Sequence, residues 1–416
     1  MKVMQQLFCL TTLIISSLHL VSAFSADISH RPSTIKTTTT ATTTTASIDQ
    51  TCDAQTATNM TSKLRSVKKV LPRPPYHWVG DGFKVYPVFA NMAFTKEISP
   101  LLMFDYGEPT QFPAREGKKP LGVGQVRIYT SSSCCCCLST VVLTFATLTD
   151  VSVCLIYGTT NYSLSLHLFF QHPHRGFETV TIAFQGEVEH RDSTGNSGVI
   201  GPGDVQWMTA GRGIIHEEYH SQEFTKTGGT FEMCQLWVNL PKKHKMTKPR
   251  YQPILGKDIP EVNLPLGATE PENVIGKARI ISGELSDTKG AAKTFTPVQM
   301  WDLIFTNKGV EVDLPYPADH NLILFVRRGR AQVLTDESTN GNGAKALSLG
   351  PQDIAVMNMD GSQTVRIRVD EPNTSVIFLG GEPIDEPIAA RGPFVMNSDE
   401  EIMQAMMDYR SGKMGN

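Results

Sequence analysis

His172-Pro-His174-Arg-Gly-Phe-Glu178-Thr opens, and Gly211-Arg-Gly-Ile-Ile-His216-Glu-Glu218 closes, the stretch that decides how this chain is read. On an extended strand, side chains two residues apart share a face. His172 and His174 therefore aim together, and so do His216 and Glu218. Pro173 favours extension, because it cannot donate to a helical ladder and pushes the residue before it toward β geometry. Between the two motifs lie the strand-like run Thr179-Val-Thr-Ile-Ala-Phe184, a turn at Gly186, and Gly201-Pro-Gly-Asp204, a tight turn feeding Val205-Gln-Trp-Met208. Two strands that each offer a pair of ligands to one barrel interior would gather three imidazoles and a carboxylate about a point.

Neutral imidazoles with one carboxylate suit divalent iron, manganese or nickel better than a thiolate-seeking ion. Four such ligands in an octahedral sphere would leave two positions for substrate or dioxygen. A lone histidine is more often structural, but two same-face pairs in one motif favour metal. Glu217 points the opposite way and is not expected to bind. His190 and His220 stand outside the pairs and read as surface or barrel-rim residues. Arg212 is expected to order the loop before His216, while Trp207 and Met208 read as core.

These motifs, with Gln235-Leu-Trp-Val-Asn-Leu240, Ile281-Ser-Gly-Glu284 and Gly392-Pro-Phe-Val-Met-Asn397, resemble the pirin family, a branch of the two-barrel cupins. The resemblance runs from about Val67 to the C-terminus. It implies an all-β fold of two antiparallel cupin barrels in tandem with a short C-terminal helix. It also implies iron, Fe(II), held by His172, His174, His216 and Glu218, with manganese or nickel as alternatives. Simpler cupins would instead enlist Glu178, which is kept as a group supporting the ligands from behind or as an alternative ligand. Arg175 and Phe177 are expected to line the pocket. The implied activity is ring cleavage of a flavonol such as quercetin by dioxygen, with Glu218 or Glu178 taking the substrate proton. Pirins are also partners of transcription regulators and metabolic enzymes, so an iron-dependent binding protein is the competing reading. A metal-free barrel of purely structural descent is the third.

At 416 residues the chain is long enough for two or three domains. A net charge of −3 with 19% charged residues gives no basic field for nucleic acid. Scattered Gly and Pro, 33 and 25 of them, suit many short strands joined by turns. Of the eight cysteines only Cys234 falls within the body that carries the motifs, so a disulfide scaffold is not expected. A monomer is expected, with no membrane span in the mature protein.

Residues 1–23 have the basic start, short apolar middle and small-residue end of a secretory signal peptide, with a membrane anchor as the alternative. Residues 24–66 are Thr-rich and poor in acids, a composition that cannot pack a core and suits a transit peptide. Signal plus transit segments resemble the two-part plastid address of algae with secondary plastids; a secreted protein is the competing reading. The first barrel is expected over residues 67–250 and the second over 251–416.

Residues 126–171 interrupt the first barrel. They include Cys134 to Cys137 and an apolar, Ser/Thr-rich run that matches neither flank. Removing them would join Gly122-Val-Gly-Gln125 to His172, as in pirins. Val126-Arg127 can be written with an intron's GT-purine start, and Phe169-Phe-Gln171 with a pyrimidine run ending CAG. A retained intron translated in the gene is therefore inferred, an insertion loop or membrane hairpin being the alternatives. Adjacent cysteines cannot wrap one tetrahedral ion, so this run is not read as a zinc site.

An internal repeat marks the second half. Ile182-Ala-Phe-Gln-Gly-Glu-Val188 parallels Phe325-Val-Arg-Arg-Gly-Arg-Ala331, and Gly201-Pro-Gly-Asp204 parallels Gly350-Pro-Gln-Asp353. The second copy keeps only His320 near the first ligand position and has Met357 and Met359 where a histidine would return, so it is expected to be metal-free. Ser398-Asp-Glu-Glu, followed by Ile402, Met406 and Tyr409 on one stripe, predicts a capped terminal helix.

Overall fold

The computed structural model describes residues 63–90, 92–123, 171–336 and 345–415. The expected signal and transit segments, apart from the last four of their residues, and the interruption at 126–171, apart from Gln171, lie outside the described residues.

Strands dominate, and the two halves repeat one plan. In the first half a seven-stranded sheet runs in the order Arg250–Ile254, Val205–Thr209, Phe177–Gln185, Gly229–Asn239, Leu101–Phe112, Phe83–Phe89 and His77–Val79. It faces a four-stranded sheet of His172–His174, Ile214–His220, Val188–Asp192 and Ser197–Ile200. In the second half the seven-stranded sheet is Val67–Leu71, Ile354–Met357, Asn321–Arg328, Thr374–Gly381, Val298–Phe305, Gly276–Ser282 and Glu261–Leu264. Its four-stranded partner is Glu311–Pro315, Thr364–Val369, Ala331–Thr335 and Lys345–Leu349. All these pairings are antiparallel, and the result is the expected tandem of two barrels.

The repeat extends to single hydrogen bonds. Asp204 N donates to Gly201 O at 2.9 Å and Gly201 N to the Asp204 carboxylate at 3.0 Å. In the second half Asp353 N donates to Gly350 O at 3.1 Å and Gly350 N to the Asp353 carboxylate at 2.8 Å. Gly203 sits at φ 90° and Gln352, its counterpart, at φ 70°. The first copy meets the left-handed turn with the residue suited to it; the second does so with a strained side chain.

The two seven-stranded sheets pack against each other. Phe104, Tyr106, Ile182, Trp207, Cys234 and Leu236 of the first interleave with Met300, Ile323, Phe325, Val356 and Ile377 of the second in one apolar cluster. Phe104 and Phe325 meet edge to face at 5.0 Å. Among these apolar side chains lies Glu232, fully buried, which accepts from Tyr106 Oη and pairs with Arg327 across the halves, both at 2.7 Å. The interior of the second barrel is filled by apolar groups, Trp301, Leu324, Val326, Met357 and Phe378 among them. The first barrel's interior is apolar only around Phe83, Val188, Phe224 and Phe231, and polar around His190, His216 and Glu218, and that contrast positions the site.

Two boundaries differ from the composition-based reading. Packing into the body includes residues before 67: Leu64 and Arg65 are buried, and Arg65 donates to Asn358 O at 2.6 Å and Pro317 O at 3.1 Å. The strand Val67–Leu71 then pairs with Ile354–Met357, so the first strand of the body covers an edge of the second sheet rather than the first. Five residues of weakly alternating pattern reveal a strand, but not which open edge it satisfies. At the other end, Arg250–Ile254 pairs with Val205–Thr209, which extends the first sheet past residue 250.

Helix Asp399–Arg410 begins at Ser398, whose hydroxyl accepts from Glu401 N at 3.3 Å, with three acids in its first turn. It buries Ile402 and Ala405 against Phe394, Met396 and Met414, while Tyr409 stays 37% exposed. Among the described residues no helix is long and apolar enough to cross a membrane.

Candidate metal centre

The strand His172–His174 pairs with Ile214–His220 so that His216 stands opposite His172 and Ile214 opposite His174. Directly opposed residues share a sheet face, and the three imidazoles converge. Ring centroids lie 4.3 Å apart for His172 and His216, and 4.8 Å for each of the other two pairs. One nitrogen from each ring falls within 4.8 Å of the others. His174 and His216 are buried and His172 is half-buried.

Burial and the neighbouring imidazoles hold the pKa of His174 and of His216 well below the ordinary value, so both rings are neutral. Neutral nitrogen is what a cation requires. His174 Nδ1 and His216 Nε2 are buried without a hydrogen-bond partner, a condition that costs stability unless something else is bound there. Two orphaned lone-pair positions amid three converging imidazoles fit a borderline divalent ion.

Glu218 lies one step farther along, with His216 and His190 in a second group whose ligand atoms also fall within 4.8 Å. Its carboxylate accepts from Gln206 Nε2 and from Gln235 Nε2, each at 2.8 Å, and from Thr181 Oγ1 at 3.4 Å. The structure thus joins Glu218 to His216 but groups it with His190 rather than with His172 and His174. Glu217 takes the other face, opposite Arg191.

Several expectations need correction. His190 and His220 are no surface residues; both are buried. His190 contacts the Asp192 carboxylate at 3.1 Å through Nε2 and His216 Nδ1 at 3.3 Å through Nδ1. His220 bonds Gly82 O at 2.9 Å inside a cage of Phe83, Phe112, Phe224 and Phe231. Glu178 reaches neither group. Its carboxylate accepts from Thr209 Oγ1 at 2.6 Å and lies 4.0 Å from Arg250, and burial pushes its pKa up to about 7. The register explains this: Glu178 faces Thr209 and Val238 in the large sheet, not the strand of His216.

Arg175 turns away from the imidazoles to the C-terminal helix, pairing with Asp408 at 2.8 Å and donating through Nε to Arg212 O at 2.6 Å. Arg212 therefore shapes the loop through its carbonyl and its N–H, which donates to Thr247 O at 2.8 Å, while its side chain is exposed. Phe177 packs on His174 at 5.1 Å and on Trp237 at 4.4 Å. Gly176, at φ 88°, leaves room that a Cβ would take from the Val395 carbonyl. Lys245 Nζ reaches Gly176 O, Asn239 Oδ1 and Val395 O at 2.7–2.9 Å, tying the same loop to the C-terminal segment.

One further residue, Asp105, had no sequence signal. It stands opposite Gln235, which reaches Glu218, so it too faces the first barrel's interior. Its neighbours Phe104 and Tyr106 point into the inter-sheet core. Pro87, Met103, Asp105, Gln235, Trp237 and His172 are each only half-buried, although they lie mid-barrel. Burial alone pushes the Asp105 pKa up to about 7.

Comparison with known proteins agrees with the fold and the motifs. A family model described as pirin matches residues 146–238, and one described as the pirin C-terminal cupin domain matches residues 301–415. A Pseudomonas aeruginosa protein provisionally named a quercetin 2,3-dioxygenase is 40% identical over 338 residues, covering 81% of this chain and 94% of its own. Human pirin is 35% identical over 248 residues, 59% of this chain and 78% of that protein. The crystal structure of a quercetin 2,3-dioxygenase from Acinetobacter baumannii superposes with a TM-score of 0.66 at 36% identity, over 85% of this chain and 99% of that one.

Proposed function

The chain belongs to the pirin family, and from that premise we propose that it is an Fe(II)-dependent dioxygenase that opens the ring of a flavonol such as quercetin. His172, His174 and His216 would hold the ion, with Glu218 completing the set. The observation that carries this reading is the pair of orphaned nitrogens, His174 Nδ1 and His216 Nε2, buried within the three-imidazole group. The names of relatives from two bacteria support the substrate class.

Divalent iron, when bound, supplies Lewis acidity toward the adjacent oxygens of a flavonol and redox capacity toward dioxygen. The chain supplies the rest. Phe177 and Trp237 form an aromatic wall beside His174. Gln206 and Gln235 clamp the Glu218 carboxylate from two sides, which fixes its orientation. With three donors on it, Glu218 is poorly placed to take a proton, and Glu178 lies away. Asp105, on the interior face with Gln235 and with a pKa near 7, is the acid we assign to accept the flavonol hydroxyl proton; a base works best when its pKa lies near the working pH.

The test is to load the protein with Fe(II) without oxygen, then add quercetin and air. Carbon monoxide release in step with flavonol loss is expected, and no turnover of several flavonols by iron-loaded protein would remove the reading. A second reading, an ion-dependent binding protein, is favoured by one observation. The helix Asp399–Arg410 leaves Met403 and Met407 more than half exposed, while its Asp408 reaches Arg175, the residue after His174. Iron-dependent protease protection of that helix without turnover would support it. We also assign the protein to a plastid by its N-terminal address; a fluorescent fusion carrying residues 1–66 that is secreted would overturn this.

A further inference from the structure

We propose that Asp192 and His190 fix the tautomer of His216, so that Nε2 is the nitrogen that carries its lone pair into the three-imidazole group. The proposal rests on the ion-binding reading of the site and not on the dioxygenase reading. It begins from cross-strand pairing. The strand Val188–Asp192 runs beside Ile214–His220 with Asp192 opposite His216 and His190 opposite Glu218, so all four side chains share the interior face.

The hydrogen-bond sequence then has one consistent assignment. Asp192 is saturated with donors: Thr194 N and Oγ1 and Asn196 N reach Oδ1 at 2.7–3.1 Å, and Asn196 Nδ2 reaches Oδ2 at 3.2 Å. Its carboxylate is thereby kept ionised and can only accept. His190 Nε2, 3.1 Å away, must therefore donate. The Gln206 NH2, held by the Glu218 carboxylate on one side and by Tyr251 on its oxygen, points a hydrogen at His190 Nδ1, so that nitrogen accepts. Two groups address that Nδ1: Gln206 Nε2 at 3.4 Å and His216 Nδ1 at 3.3 Å. His216 thus carries its hydrogen on Nδ1 and leaves Nε2 bare, which is the nitrogen found buried and without a partner.

Two further contacts hold the relay in one state. Tyr251 stacks on His190 at 4.8 Å and 20° between planes, and its hydroxyl donates to Gln206 Oε1 at 3.2 Å. That fixes the Gln206 amide with its NH2 toward Glu218 and His190. An NH2 group aimed between His190 and Glu218 would repel a cation lodged there, so His190 backs the ion site and is not a ligand of a second one. Carboxylates behind metal-binding histidines are a recurrent device for orienting the ring; here the carboxylate acts through an intervening histidine.

The experiment uses 15N-labelled histidine NMR on the metal-free protein, with Mn(II) affinity read from the EPR signal of the free ion, both at one fixed pH. Wild type should show His216 as the Nδ1–H tautomer. Asp192→Asn keeps Oδ1 for the turn but places an NH2 where Oδ2 stands. It should reverse the relay, move the His216 hydrogen to Nε2, and weaken Mn(II) binding about 10- to 100-fold. His190→Phe should weaken binding similarly, whereas Thr194→Val, which removes a donor to Oδ1 and none to Oδ2, should leave the tautomer unchanged. Wild-type His216 protonated on Nε2 would overturn the proposal without recourse to any variant. So would a folded Asp192→Asn protein with the wild-type tautomer, even if its affinity fell, because that would mark a structural role. Failure of wild type to bind Mn(II) would instead count against the ion site, and the tautomer measurement would still decide the relay.

Discussion

Arg175 and Asp408 form a 2.8 Å ion pair that joins the residue following His174 to the last turn of the C-terminal helix. The two residues are 233 positions apart, and Arg175 is nearly buried, with 6% of its side chain exposed. The guanidinium holds the Asp408 carboxyl below its ordinary pKa. A carboxyl with a depressed folded pKa contributes stability above its unfolded pKa and loses it as pH falls through the folded value. Asp408→Asn should therefore cost about 1–2 kcal/mol at neutral pH and nothing in strong acid. Amide exchange at 174–176 and 211–214 should rise with it, and unchanged exchange in that loop would refute the linkage.

Lys245 gives a second, sharper test of the same loop. Three oxygens converge on its ammonium, and all are interior. Lys245→Met keeps the stem's packing but strands Gly176 O, Val395 O and Asn239 Oδ1. Unsatisfied buried acceptors cost about 1–3 kcal/mol each, so thermal unfolding should move down by many degrees. Lys245→Arg should not rescue it, since a planar fork cannot replace a three-way point donor.

How much of this was legible beforehand follows from the range of each signal. His172, His174 and His216 stand at strand spacing inside turn-bounded runs, so their common direction follows from the local chain. His190 carried the same information: Glu189 and Arg191 alternate with Val188, His190 and Asp192, and the first two pair with each other outside at 2.8 Å. Reading that alternation would have turned His190 inward. Glu178 misleads because the same alternation, counted from His174, ignores the bend at Gly176 that starts a strand in the other sheet. Asp105 and Gln235 were beyond reach, because their facing is set by which strands become neighbours, and that is decided by closure of the barrel. The strand Val67–Leu71 was misassigned for the same reason.

Glu232 tests the packing of the halves. It is buried between Tyr106, Gln185, Arg327 and Arg328, and Arg327 lies over Phe184 at 4.2 Å. Glu232→Ala takes from Arg327 its ion-pair partner and leaves it Ser375 Oγ at 3.1 Å in an apolar seam; losses of about 3–5 kcal/mol are typical of a broken buried pair. The double variant Glu232→Ala with Arg327→Leu should recover part of that loss. Chemical denaturation of the three proteins distinguishes an uncompensated charge from a general packing defect, which the double variant would only worsen.

Asp105 ties stability to function. Its folded pKa of about 7 lies above the ordinary 3.8, with burial as the cause. An acid of this kind binds more protons folded than unfolded between those values, so its contribution to stability falls as pH rises from about 4 to about 7. Each pKa unit is worth about 1.4 kcal/mol, and Asp105→Asn removes the charging cost while keeping the shape. The variant should therefore be more stable than wild type at pH 8, equal to it near pH 3, and flatter between. If the same carboxylate accepts the substrate proton, flavonol turnover should drop about 100- to 10,000-fold with Mn(II) affinity unchanged. A variant that gains stability and keeps full turnover would leave Asp105 as a strained but idle acid; one that loses metal would show that it acts through the ion's ligands instead. The predicted combination, sturdier protein with intact ion binding and little catalysis, is what a group retained for chemistry at the expense of folding must produce.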